Sequence, residues 1–389
     1  MENPTIQLGN NSWATKKDKL LAYNKDAQDR FQAIELDFAR SSLKNVTNRS
    51  GYLSEIAVGN PAIDFLDNPS GALLLEPSST NLIPDSNEII SLGTGIIDLN
   101  NAISLDGTQN ALKITFGSGG NSGGRFSTLN SACLPNTQYT MSFYAKSLVG
   151  DGSFRVRMDY DTSLGSYENF TSTNEWVLYQ YTFTTDASAN NFANSSRVTS
   201  LTANNEILFY EFQLELGTVA TSRIKTSGGI ATRTQDTASK SGLTNYINSI
   251  EGVFYFELAT LTNIFSTSES ISISDSSTSN RLFFRFQNTN QLDFTSVISS
   301  STGAFISTTL SDAKSYNKIA VYWSQSTFKL FINGVLINTD DRGLSFSANT
   351  LNRVAFDSGS GGAKLNGKVK DLRVYDTALT DQELTDLTS

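Results

Sequence analysis

The dominant pattern along this chain is strict alternation of apolar and polar positions. In 138–145 (QYTMSFYA), Tyr139, Met141, Phe143 and Ala145 share one face. In 153–160 (SFRVRMDY), Phe154, Val156, Met158 and Tyr160 do the same. The pattern continues through 176–184, 206–216, 252–258, 281–286, 318–323 and 328–332. Period-2 alternation rich in aromatic and β-branched residues predicts half-buried strands. Turn signals recur every 8–12 residues or so, which predicts sandwiches rather than βαβ units. Helical signals are few. Residues 15–23 predict one or two helical turns. Residues 380–387 (TDQELTDL) predict a short helix, with Thr380 and Glu383 spaced for a capping box. The expected fold class is all-β, with an irregular N-terminal region followed by two antiparallel sandwiches.

Composition narrows the chemistry. The 389 residues exceed one ordinary core, so more than one domain is expected. The chain has no histidine, which removes Ser-His-Asp triads, Cys-His dyads, HExxH zinc sites and imidazole bases together. Its single cysteine, Cys133, excludes an intrachain disulfide and a thiolate zinc cluster. The net charge of −9 argues against nucleic acid and against anionic bilayers as partners. No apolar run reaches the roughly 20 residues of a membrane span. Residues 1–10 show neither a basic n-region nor an apolar h-region, so no signal peptide is expected. Charged residues are only 17% of the chain, and Ser, Thr, Asn and Gly fill the gap, as in extracellular β-proteins.

The expected organisation has three parts. Residues 1–84 hold Pro4, Pro61, Pro69, Pro77 and Pro84 and read as irregular. Residues 85–235 read as a first sandwich. A Ser/Thr/Gly-rich joint at 226–242 leads to a second sandwich at 243–389.

Three stretches carry a family resemblance. Residues 71–83 (GALLLEPSSTNLI), after FARSS at 38–42 and NPAIDF at 60–65, resemble a stretch of bacteriophage tail and virion-appendage proteins. Residues 13–23 (WATKKDKLLAY) are similar to N-termini of virion proteins from phages of Bacteroidetes-type hosts. Residues 112–226, through ALKITF, QYTMSFYAKS, NEWVLYQYTFTTD and FYEFQLELGTVATS, resemble jelly-roll carbohydrate-binding modules. Residues 316–323, 328–336 and 367–384 (GKVKDLRVYDTALTDQEL) resemble the concanavalin A-like, laminin-G-like lectin fold, with Gly367, Val369, Leu372, Val374, Tyr375 and Leu379 at matching positions.

The resemblance implies a phage virion protein, a head or tail fibre, made in the host cytoplasm and exposed after lysis. It implies adhesion to host or environmental glycans, a homo-oligomer (trimer or dimer), and contacts to other virion proteins through residues 1–84. The alternative is a purely structural capsid-decoration or baseplate component. No enzyme activity is expected. The concanavalin-like block lacks an E-x-D-x-x-E run that would set paired carboxylates on one face, and no stacked repeat suggests a β-helix depolymerase.

Sugar binding needs aromatic faces and a few fixed polar groups. The aromatic candidates of the first sandwich are Tyr160, Tyr167, Trp176, Tyr179 and Tyr181. Tyr160 and Trp176 lie on strand faces that must also fill the core, and packing is the expectation for both. Tyr167 falls in a loop and is the better-placed glycan contact, with Trp176 kept as a second candidate. In the second sandwich Arg281 and Arg285 are the candidates. Calcium is the one cofactor the lectin-like resemblance brings into question. Its candidate ligands are Asp159, Asp161 and Glu211, with Asp340 and Asp341 in the second sandwich, none at EF-hand spacing.

Overall fold

A computed structural model describes residues 3–25, 31–341 and 344–389. The described chain is all-β apart from one C-terminal helix, and the ladders that build its two large cores are antiparallel. It divides into two compact units whose segments alternate in sequence. The first comprises Met1–Ser41, Ile56–Pro77 and Gln235–Ser389; the second comprises Ser42–Glu55 and Ser78–Thr234.

This division differs from the expected three regions. The residues expected to stand apart as an irregular N-terminal region instead supply strands to the sandwich of residues 243–389. Strand Ile6–Gly9 pairs with Gly367–Tyr375, and Ala72–Leu75 pairs with the start of that same strand. The physical reason is partner distance. Short strands broken by proline carry little periodic signal, and here their partners lie about three hundred residues on.

Residues 15–23 are also corrected. They form not helical turns but a hairpin, Ala14–Lys16 against Lys19–Lys25, closed at Lys17 and Asp18. Asp18 takes a φ of +61°, the left-handed geometry that a two-residue hairpin loop requires.

In the first unit, the strand Phe31–Ala39 belongs to two runs of pairing. One run passes through Lys19–Lys25, Ile6–Gly9, Gly367–Tyr375, Glu251–Thr260, Asn317–Ser324, Thr327–Ile332 and Val335–Asp340. The other passes through Thr237–Lys240, Arg353–Ala355, Ile264–Ser274, Arg281–Thr289, Gln291–Ile298 and Ser301–Thr309. The core between them is aromatic. Phe256 meets Phe284 edge-on at 4.8 Å, and Trp323 is fully buried with Phe254, Phe294 and Phe328. The helix Asp381–Thr388 follows the expected capping box: Thr380 Oγ1 accepts from Glu383 N at 3.3 Å, and Glu383 accepts from Thr380 N at 2.9 Å. Its Leu384 and Leu387 cover Val253, Tyr255, Phe331 and Tyr375 on a second face of the sheet.

The second unit is a sandwich of two five-stranded sheets. One sheet runs Ile96–Ile103, Gln109–Thr115, Glu206–Leu216, Gln138–Val149, Val177–Thr184. The other runs Ile90–Leu92, Gly123–Arg125, Arg197–Thr199, Ser153–Arg157, Tyr167–Thr171. Odd-numbered Met141, Phe143 and Ala145 meet Phe154, Val156 and Val198 across the core, as the alternation dictates.

Candidate functional site

The second unit carries a cleft where two edge strands, Val177–Thr184 and Tyr167–Thr171, come together at the rim of the sandwich. Alternation turns Tyr179, Tyr181 and Phe183 inward. Tyr181 lies 5.8 Å from Phe170 and 5.5 Å from Phe183, centroid to centroid. The strands end before the core closes, which leaves a cleft of about 240 Å³ lined by Tyr160, Tyr167, Glu168, Tyr181, Thr182 and Phe183 among others.

Two features make this cleft chemically unusual. The hydroxyls of Tyr167 and Tyr181 are both shielded from solvent, and neither has a hydrogen-bond partner. A buried hydroxyl left unpaired costs about 1–3 kcal/mol. Burial also pushes the Tyr181 hydroxyl well above its ordinary pKa and Tyr160 up to about 12. At neutral pH each is therefore an O–H group able to donate and accept. Aromatic walls with unfilled hydroxyls suit a ligand that presents C–H faces and hydroxyl groups together.

Tyr167, expected in a loop, begins an edge strand. The Arg155 and Arg157 guanidiniums lie 3.9 Å and 4.8 Å from its ring centroid, so cations already occupy its π surface. Trp176 is not brought beside it. It packs against Leu53, Tyr144 and Tyr210, on the side of its sheet opposite the cleft. Arg281 and Arg285 lie in the first unit. Arg281 donates to the Ser358 carbonyl and lies over the Phe283 ring at 4.0 Å. Arg285 pairs with the buried Asp293 at 2.8 Å, and Gln287, Gln291 and Ser307 complete that carboxylate's shell.

The five candidate metal carboxylates do not converge. Asp159 is fully buried; it accepts from Arg157 Nη2 at 2.9 Å and from Gly165 N at 3.2 Å. Asp161 accepts from the Asn190 and Asn191 amides. Glu211 sits at φ +54° and accepts from Ser86 Oγ at 2.8 Å and Asn87 Nδ2 at 3.0 Å, with burial pushing its carboxyl up. Asp340 accepts from Phe305 N at 3.0 Å, and Asp341 is exposed beyond the strand end. Calcium asks for six to eight oxygen ligands. Among the described residues no three acidic, cysteine or histidine side chains gather to begin such a shell.

Tyr181, one of five aromatic candidates in the sequence of this sandwich, is the site residue that the strand pattern could not single out. Its ring does pack. Its hydroxyl is left shielded and unpartnered beside the cleft, and no local spacing marks that.

No curated protein matches the chain. Among solved structures it is similar to the CBM40 of the Ruminococcus gnavus IT-sialidase bound to alpha2,3 sialyllactose, at 17% identity over 36% of this chain and 83% of that one, TM-score 0.31. It is similar to the CBM22-1 xylan-binding domain of Paenibacillus barcinonensis Xyn10C, at 17% identity over 36% and 94%, TM-score 0.27. It is also similar to domain 4 of the Geobacillus stearothermophilus arabinanase AbnA in complex with arabinotriose, at 17% identity over 44% and 82%, TM-score 0.30. Likenesses at these levels define no shared site. Residues 260–385, most of the second sandwich, match the concanavalin A-like lectin/glucanases superfamily.

Proposed function

We propose that this protein is a non-catalytic glycan-binding protein, carried on a phage virion as part of a head or tail fibre. The observation that carries the glycan reading is the aromatic cleft with two buried hydroxyls lacking partners, Tyr167 and Tyr181. The lectin-superfamily match of residues 260–385 supports it from the other unit. The virion setting rests on the resemblance of residues 71–83 and 13–23 to virion-appendage proteins.

A shallow cleft of this size holds one or two sugar rings and binds weakly per copy. Many copies on one particle turn weak sites into firm adhesion. The test uses the full chain, multimerised on beads, with host cells before and after periodate oxidation of their surface glycans. Binding that periodate abolishes, and that Tyr181→Phe weakens, supports the proposal. Binding indifferent to periodate, or none from folded protein, overturns it.

A second reading, a component that packs against neighbours in the virion, is favoured by one observation. Ile96–Ile103 is an edge strand with Ile96, Leu99 and Ile103 all exposed. Such an edge is a template for pairing with another chain.

A further inference from the structure

The outer face of one sheet in the second unit carries a row of arginines that the tyrosine cleft does not explain. Arg125 lies directly across from Arg197, Arg197 across from Arg157, and Arg157 across from Tyr167. One line across four strands therefore reads Arg, Arg, Arg, Tyr. Adjacent strands are about 4.8 Å apart, so the three arginine positions span roughly 10 Å. Arg155, one step along the same face, stacks on the Tyr167 ring and donates to Thr199 Oγ1 at 3.1 Å.

Like charges directly opposite on paired strands destabilise a sheet. Here two such pairs are adjacent, in a chain whose net charge is −9. Among the described residues the one carboxylate paired with them is Asp159, bonded to Arg157 at 2.9 Å and 3.8 Å from Arg197. Four guanidiniums against one carboxylate leave the face cationic. The Arg125 side chain has no hydrogen-bond or ion-pair partner among the described residues. Places where local rules are broken without structural compensation are where function is expected. The arginines are also well held. Asp159 fixes Arg157, the Ser195 carbonyl accepts from Arg197 Nε at 2.9 Å, and the Tyr167 ring supports Arg155. A fixed guanidinium fork matches a planar oxyanion by two parallel hydrogen bonds.

The geometry points to an oxyanion subsite beside the cleft, which makes the preferred ligand an anionic sugar: a polysaccharide whose rings bear carboxylate or sulfate groups. This deepens the glycan reading and rests on it. Tyr167 joins the two parts, lining the cleft while its ring supports the arginines. A chain running along the row would seat a ring in the cleft and place its acidic groups over Arg197 and Arg125, with the buried Arg157 beneath them held by Asp159.

Affinity electrophoresis of the full chain in gels cast with polygalacturonate, dextran sulfate or neutral dextran tests this. The variants are Arg125→Gln, Arg197→Gln and, as a charge-matched control on the other sheet, Lys146→Gln. The expected result is retardation by an acidic polymer at least tenfold stronger than by dextran, reduced at least tenfold by each arginine substitution and little by Lys146→Gln. Whichever acidic polymer retards the protein identifies the group, carboxylate or sulfate. A thermal-unfolding midpoint within a few degrees of the parent's shows that each variant is folded; Arg125→Lys, which keeps the charge and loses the fork, is expected to fall between parent and Arg125→Gln. Equal loss with Lys146→Gln would mean simple charge attraction and overturns the inference. So does retardation by dextran as strong as by the acidic polymers, which leaves glycan binding itself standing. No retardation by any polymer, together with periodate-indifferent cell binding, overturns both.

Discussion

At the scale of single residues, Tyr181 makes an unusual forecast. Its hydroxyl is buried without a partner, so removing it relieves a cost in the free protein. Tyr181→Phe is expected to raise the free protein's stability by about 1 kcal/mol. The same change should weaken glycan binding about five- to tenfold, if a sugar hydroxyl is the missing partner. Thermal unfolding and affinity electrophoresis on one sample read the two opposite signs. A Tyr181 with no part in binding would show the same gain in stability and leave affinity alone.

Glu269 supplies a pH-dependent forecast. Burial pushes its carboxyl up to about 7 from an ordinary 4.5, against the opposing donation from Asn366 N and Nδ2. Between those values the folded protein holds a proton that the unfolded chain has released. Stability is therefore full below about pH 4.5 and falls as pH rises through 7, by roughly 1–3 kcal/mol. Asp371, pushed up to about 6 mainly by burial, acts in the same direction. Glu269→Gln should flatten the unfolding midpoint against pH between 4.5 and 8 without abolishing the slope. A parent profile flat over that range would refute the assignment.

Elements were the most legible level. Strands with buried aromatic alternation, such as Gln138–Val149 and Glu251–Thr260, are visible because one face must enter a core and period 2 records it. The C-terminal helix is visible because its cap is a local device, complete within four residues. Its worth is also local. Thr380→Ala should cost about 1 kcal/mol. Leu384→Ala, which opens the cluster with Tyr255 and Phe331, should cost about 2–4 kcal/mol. Urea unfolding measures both; a smaller loss for Leu384→Ala than for Thr380→Ala would mean that the helix lies loosely on the sheet. The hairpin at 14–25 was not legible. Its loop is Lys-Asp rather than Asn-Gly, and Leu20-Leu21 gives no clean alternation. The arginine row was hidden for a related reason. Its members come from separate strands, Arg125 and Arg197 far apart in sequence, and only the register aligns them.

At the scale of the whole chain, the two sandwiches were legible and their boundaries were not. Boundaries read from composition assume that a domain is one continuous stretch. The first unit is assembled from three. Arg40 shows how they are held. Its guanidinium reaches Asp236 at 3.1 Å with both side chains fully buried, and donates to the Ala57 carbonyl at 2.9 Å. Asp236 in turn accepts from Glu76 N at 2.9 Å. One buried ion pair thus ties all three segments. A fragment of residues 243–389 lacks the strands Ile6–Gly9 and Ala72–Leu75 that flank Gly367–Tyr375. It is expected to aggregate or remain molten, while the full chain is monodisperse by gel filtration with a cooperative melt. A well-folded fragment would show those strands to be dispensable.

That interleaving also sets an order of events during synthesis. Thr5 hydrogen-bonds the Val374 carbonyl, a partner 369 positions later in the chain. At about 5–20 residues per second, the ribosome needs roughly 20–70 s to deliver it. The intervening sandwich of residues 78–234 can close while the first strands still wait with their edges bare. The strands at residues 6–25 are thus synthesised well before their partner at 367–375 and are among the last to be paired, exposed to chaperones and neighbouring nascent chains throughout that interval.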